Sequence, residues 1–214
     1  MTAKTQYNKR IEDMLTRTQT AMSRTSWFEA ERLAVKALEA AREACDFELM
    51  SRICPSLQEA RRQRMLQAIE AASNKVEVLE GIDAEPKITA GVVLVQPPAV
   101  GADGRRLRVA ALNEEVPLLV ATREPSTRLG QCPIVTIGRI TVRAYVDQPK
   151  KESAPTVKWV LNAIEQLGNA ALESVDDQAE PLNRIDALLA RLDSVPDHER
   201  LHEELTATCK LINS

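Results

Sequence analysis

Two short apolar runs, GVVLVQ at 91–96 and VPLLVAT at 116–122, constrain this chain more than any other feature. The first is β-branched and ended by Pro97 and Pro98, and both are short enough to read as buried strands. Between them, GADGRRLRVAALNEE (101–115) offers Asp103 as a cap and sets Leu107, Ala110 and Ala111 at helical steps. Strand, helix, strand is the composition of a βαβ crossover, which makes the two strands parallel. PIVTIG (133–138) and ITVRAYV (140–146) read as added strands with Gly138 at the bend between them. The alternative is an all-β module in which 105–112 is a strand, because a segment this short is ambiguous by periodicity.

Helical patterns lie on both sides of this module. Tyr7, Ile11, Met14, Leu15, Thr18 and Met22 fall at three- and four-residue steps, one face of a helix over 5–24. Ser26 and Glu29 are spaced for a capping box at the start of a second helix. That helix carries Ala30, Ala34, Ala37 and Ala41 in line, a stripe that lets a neighbouring backbone approach closely. Asp46 is placed to cap a third helix, which Pro55 is expected to kink or restart before it ends near Ala72. After the polar joint DQPKKESAP, Val157 to Ala171 form one helix, Leu182 to Val195 a second opened by Pro181, and Leu201 to Ile212 a third opened by Pro196.

SWFEAERLAVKALEAAREACDFELMSRI resembles the second helix of a tetratricopeptide (TPR) repeat running into the first helix of the next. Ala30 and Ala37 match small-residue positions of that family, and Ala34 replaces a larger aromatic one. Trp159, Leu167-Gly168 and the LDSVPDHERLHEEL junction resemble it again near the other end. The resemblance implies stacked antiparallel helix pairs with a groove for a partner protein. The expected fold is therefore α+β, mainly α: TPR-like hairpins over 1–80 and 151–214 flank an α/β module of about four strands and one βαβ crossover over 86–150.

Composition narrows the function classes. Six aromatic residues serve the whole chain, so its core is built from Leu, Ile, Val, Met and Ala. The net charge is -3, and 151–214 carries twelve acidic against six basic side chains. No basic run exceeds that of Arg61, Arg62 and Arg64, read as the solvated face of a helix rather than as a phosphate-binding stripe, so no nucleic-acid partner is expected. The sequence shows no signal-peptide pattern and no apolar stretch of the ~20 residues that a membrane helix needs, so a cytoplasmic protein without a membrane partner is expected. Cys45, Cys54, Cys132 and Cys209 form no CxxC pair; they read as reduced thiols, with Cys45, Cys54 and Cys209 in the core.

Two constellations could carry chemistry. HERLH at 198–202 has the HExxH spacing that sets two imidazoles on adjacent helical turns for zinc, which casts His198 and His202 as ligands and Glu199 as general base. No further histidine follows to complete a ligand set, and the alternative makes both imidazoles boundary residues beside Leu201, Leu205 and Cys209, with their polar edges in water. In open α/β sheets, ligands bind beyond the carboxyl ends of the strands, which gathers Gln96, Gly101, Asp103, Thr122, Arg123, Thr127 and Arg128 around one candidate anion or ligand site. There the alternative is that Arg123 and Arg128 form surface ion pairs. VGADGRR has neither the glycine density nor the lysine of a nucleotide loop, and no cofactor is expected. The leading expectation is a non-enzymatic scaffold or adaptor for a protein partner. A small-ligand sensor using the α/β module is the alternative, and a zinc-dependent hydrolase through HERLH a further one.

Overall fold

The computed structural model describes residues 3–83, 86–127 and 130–212. In chain order its elements are α1 (Ala3–Ser23), α2 (Trp27–Glu43), α3 (Phe47–Ala72), β1 (Val76–Leu79), β2 (Gly91–Val95), α4 (Gly101–Asn113), β3 (Leu118–Arg123), β4 (Gln131–Ile137), β5 (Thr141–Asp147), α5 (Val157–Glu173), α6 (Pro181–Ser194) and α7 (Glu199–Ile212). The fold is α+β and mainly α. Two compact units divide it, each discontinuous in sequence. The helical unit holds α1, α2, α3 through Gln63, α6 through Leu189, and α7; the α/β unit holds the rest of α3, the sheet, α4, α5 and the segment Ala190–His198.

In the helical unit, the same turn joins α1 to α2 and α2 to α3. Ser26 N–H donates to the Ala21 carbonyl at 2.9 Å and Thr25 N–H to that of Met22 at 2.9 Å; Asp46 donates to Ala41 at 2.9 Å and Cys45 to Arg42 at 3.1 Å. This pairing is the Schellman closure, which needs a left-handed residue usually supplied by glycine. Thr25 at φ 56° and Cys45 at φ 53° take that place here. An L-residue there carries about 1 kcal/mol of strain. Thr25→Gly is therefore expected to stabilise the protein by about 1 kcal/mol, seen as a rise of about 2–4 °C in the thermal midpoint.

Ala30, Ala34, Ala37 and Ala41 are all fully buried, as the stripe requires. Asp46 caps α3 by accepting the Leu49 amide at 3.0 Å. The capping box at Ser26 does not form: at ψ 70° this residue lies outside the extended backbone from which a cap hydroxyl reaches the first turn. Nor does α3 restart at Pro55: it runs as one helix from Phe47 to Ala72, the end expected from sequence. Met50, Ile53, Cys54, Leu57 and Ala60 are all buried around it, and this packing holds the helix through the amide that proline lacks.

The α/β unit is built on one mixed sheet of order β1-β2-β3-β4-β5. β1, β2 and β3 are parallel, with Val78 opposite Leu94 and Leu94 opposite Ala121, and β4 and β5 add antiparallel. The βαβ crossover through α4 is present and Gly138 lies in the β4–β5 bend, so the all-β alternative for 105–112 is excluded. β1 is an additional strand, at the end of the region 1–80 expected to hold the first helices and past the expected helix end near Ala72; Ser73 and Asn74, both at positive φ, turn the chain out of α3.

Side-chain alternation divides the parallel strands between two faces. Val92, Leu94, Leu119 and Ala121 pack with Ala68 of α3 and with Val157 and Val160 of α5. Val93 and Val95 pack with Ala99 and Leu107 on the other face. Both faces are covered, which is why GVVLV is apolar throughout. Helix α5 starts at Val157 behind Thr156, whose hydroxyl accepts the Trp159 amide at 3.2 Å. Helix α7 starts at Glu199, after a turn at Pro196, rather than at the proline itself.

Candidate functional site

The carboxyl ends of β2 and β3 lie side by side, with Val95 opposite Thr122. Little room remains beyond them. A Cβ built on Gly104 would lie 2.0 Å from the Thr122 hydroxyl, and one on Gly101 would lie 2.9 Å from Ile137. The two glycines sit one turn apart and let α4 press onto β3 and β4. The void among Gly101, Gly104, Thr122 and Val135 is about 10 Å³, enough for no more than about one water. Strand order supplies the reason: it runs from β1 to β5 without reversal, so there is no switch point at which a crevice would open.

The other residues gathered at this place by the sequence have partners within the α/β unit. Gln96 donates from Nε2 to Glu80 at 3.0 Å, and Asp103 accepts the Val100 amide at 2.9 Å. Arg123 lies 4.0 Å from Glu152, and Thr127 Oγ1 accepts the Gln131 amide at 3.3 Å. Arg128 lies outside the described residues.

The histidines of HERLH do not share one helix. His198 precedes α7 and faces α5, with Nε2 3.5 Å from Glu165 Oε1. His202 lies in the first turns of α7, and its Nε2 is 3.2 Å from Arg61 Nη1. Guanidinium nitrogens only donate, so that imidazole nitrogen accepts, and the lone pair a metal would use is taken. Among the described residues, no group of three His, Cys, Asp or Glu side chains is placed to hold a metal ion. Neither imidazole is a boundary residue, since His198 is 2% exposed and His202 1%.

The basic run is likewise not a solvated face. Arg61 and Arg64 are buried, while Arg62 is exposed and paired with Glu59 at 2.8 Å. Arg61 Nε donates to the buried Glu31 carboxylate at 2.9 Å, so Glu31, Arg61 and His202 form a buried polar row across α2, α3 and α7. In the α/β unit, Arg108 donates to the carbonyls of Ser194 at 2.9 Å and Asp193 at 3.2 Å, covering the last turn of α6. Arg139 N–H donates to Asp193 Oδ2 at 2.6 Å, which ties the β4–β5 bend to the same turn.

All four cysteines are free, and Cys45 is exposed rather than in the core because it occupies a turn. Burial pushes the Cys54 thiol up to about 12, with Cys209 nearby adding to it, and burial pushes Cys209 up to about 12 as well. Cys132 is also raised by burial. These three thiols stay protonated at neutral pH and are poor nucleophiles.

Two features of the α/β unit have no counterpart in the sequence reading. One is the outer edge of β5, whose only strand neighbour among the described residues is β4. It carries Tyr145, 56% exposed, between the buried Ala144 and Val146. The other is a cavity of about 190 Å³ on the α4 side of the sheet, bounded by Glu77, Leu79, Lys87, Val93, Leu107 and Leu118. The signals in sequence were the alternation of VEVL at 76–79 for the cavity and that of TVRAYVD for the edge. No helix of the described residues is long and apolar enough to cross a membrane. The chain matches no family model, no curated protein and no solved structure.

Proposed function

We propose that this chain is a non-enzymatic scaffold or adaptor that holds a protein partner, and that an extended segment of the partner adds to the sheet beside β5. The place of β5 at the end of the sheet carries this reading; its last carbonyl, that of Asp147, accepts the Trp159 indole N–H at 2.8 Å, which leaves the stretch around Tyr145 for a partner. A strand with one neighbour presents a row of backbone donors and acceptors, and edge addition uses them for affinity and side chains for specificity. Tyr145 stands exposed on that strand as a rigid aromatic anchor of the kind that dominates interfaces. Arg143 beside it is held by a bidentate pair with Glu124 at 2.7 and 2.8 Å, which keeps the strand's surface ordered.

Other observations support the same class. Polar groups that would serve catalysis are engaged in the fold: His202 with Arg61, Arg108 with the end of α6, Asp193 with the β4–β5 bend. The repeated Schellman turns between α1, α2 and α3 support TPR-like stacking in the helical unit. Four free thiols support a cytoplasmic setting, and the burial of Arg61 and Arg64 supports a partner other than nucleic acid.

The test is affinity purification of the full chain from lysate of its own source, beside Tyr145→Asp. An exposed substitution of this kind moves stability by about 0.5 kcal/mol or less, so both forms melt alike. A stoichiometric partner retained by the parent chain and lost from Tyr145→Asp is expected. A partner retained equally by both would overturn the edge as its docking place, and a parent chain that emerges alone would overturn the scaffold reading.

A further inference from the structure

The cavity beside β1 has a floor, walls and charges that nothing described above uses. Glu77 and Leu79 point to the same side of the sheet as Val93 and Leu118, the side on which Leu107 of α4 packs. Residues 81–83 and 86–89, which follow β1, bound the rest of the space. Three hydrogen bonds hold the end of β1 and the residues just after it. Gln96 N–H donates to the Leu79 carbonyl at 2.8 Å, Gln96 Nε2 to Glu80 at 3.0 Å, and Arg106 Nη2 to the Ile82 carbonyl at 2.9 Å. The β1 side of the cavity is thus preformed, as small-molecule sites usually are.

Size and charge decide the ligand class. A cavity of about 150 Å³ lined by apolar side chains accepts benzene, so one of about 190 Å³ suits a molecule of roughly eight or nine heavy atoms, below drug size. Its walls at Leu79, Val93, Leu107 and Leu118 are aliphatic. Its rim carries Glu77, Asp83 and Lys87, and among the described residues none of the three forms an ion pair or side-chain hydrogen bond. Two carboxylates and one ammonium gathered around an aliphatic pocket, and not paired with one another, complement a small zwitterion with an apolar tail.

We propose that this cavity binds a small apolar α-amino acid. Its ammonium group meets Glu77 and Asp83, its carboxylate meets Lys87, and its side chain lies against Val93, Leu107 and Leu118. The site is separate from the β5 edge and stands or falls independently of the scaffold reading.

The test is calorimetric titration of the full chain with L-leucine, L-isoleucine, L-methionine and L-phenylalanine, with amide shifts recorded in parallel. Two fragments of leucine serve as controls: 4-methylpentanoate lacks the ammonium group and 3-methylbutylamine lacks the carboxylate. Saturable binding of at least one amino acid is expected, with shifts at Val93 and Leu107. Glu77→Gln and Lys87→Met change exposed rim residues, so both variants fold; each is expected to weaken binding about tenfold or more, the effect of one charge-assisted contact. Both fragments are expected to bind at least tenfold more weakly than leucine. The proposal is overturned if none of the four amino acids binds at about 10 mM, if either variant leaves the affinity unchanged, or if the shifts fall elsewhere in the chain.

Discussion

Gly168→Ala is expected to destabilise the α/β unit by about 2 kcal/mol or more, although alanine is the better helix former. Gly168 lies inside α5, where glycine is disfavoured by about 1 kcal/mol relative to alanine. A Cβ at this position would lie 2.1 Å from both Cγ and Cδ2 of His198 and 2.7 Å from its Cβ. The His198 ring is buried against α5 and has no solvent to move into. Overpacking of this kind typically costs about 1–3 kcal/mol and outweighs the helix propensity gained. The measurement is a urea midpoint for the variant, and then for Gly168→Ala in a His198→Gly background, which removes the Cβ at 2.7 Å as well as the ring. With the whole side chain removed, the same substitution is expected to change sign and stabilise by about 1 kcal/mol. If it stayed destabilising there, the His198 side chain would not be the reason for the glycine.

Arg61→Met is expected to cost the helical unit about 3–5 kcal/mol, the largest single effect among these predictions. The guanidinium is shared between Glu31 Oε1 at 2.9 Å and His202 Nε2 at 3.2 Å, and all three side chains are buried. Removing it strands a buried carboxylate, whose desolvation the remaining structure no longer offsets. The companion variant Glu31→Leu with Arg61→Met removes both charges at similar volume. It is expected to recover most of the loss, because a buried pair contributes little more than a well-packed apolar pair. Denaturation midpoints of the two variants check this. Equal destabilisation in both would mean that the side-chain volume, not the charge, is what Arg61 supplies.

Both residues were open to a different reading in the sequence. Arg61 stands in a run of arginines on a helix, and periodicity alone assigns such a run to water. Whether a charge is buried depends on a carboxylate thirty residues away and an imidazole on the last helix, and no local pattern encodes either. His198 and His202 have the spacing of a metal pair on one helix. That spacing acts only if the helix already contains the first histidine, and α7 begins one residue after it. Gly101 falls in the candidate ligand site because it lies beyond the carboxyl end of the first strand run. The structure shows close approach of α4 to β3 and β4 instead, a distinction that composition cannot make.

What the sequence determined by itself rests on neighbours within a turn or two. The strand runs at 91–96 and 116–122, the helix between them, the Asp46 cap, the proline at the start of α6 and the alanine stripe of α2 are all local. Each follows from steric preference and burial period, and each is present in the fold. The tertiary structure alone decided that 76–79 is a strand, because four residues form one only when β2 lies alongside. It alone decided that α3 persists through Pro55, since the buried residues around the proline outweigh one missing hydrogen bond. The place of β5 at the sheet's edge and the cavity beside β1 belong to the same class. Strand order and helix placement create both, and these are properties of segments far apart in the chain.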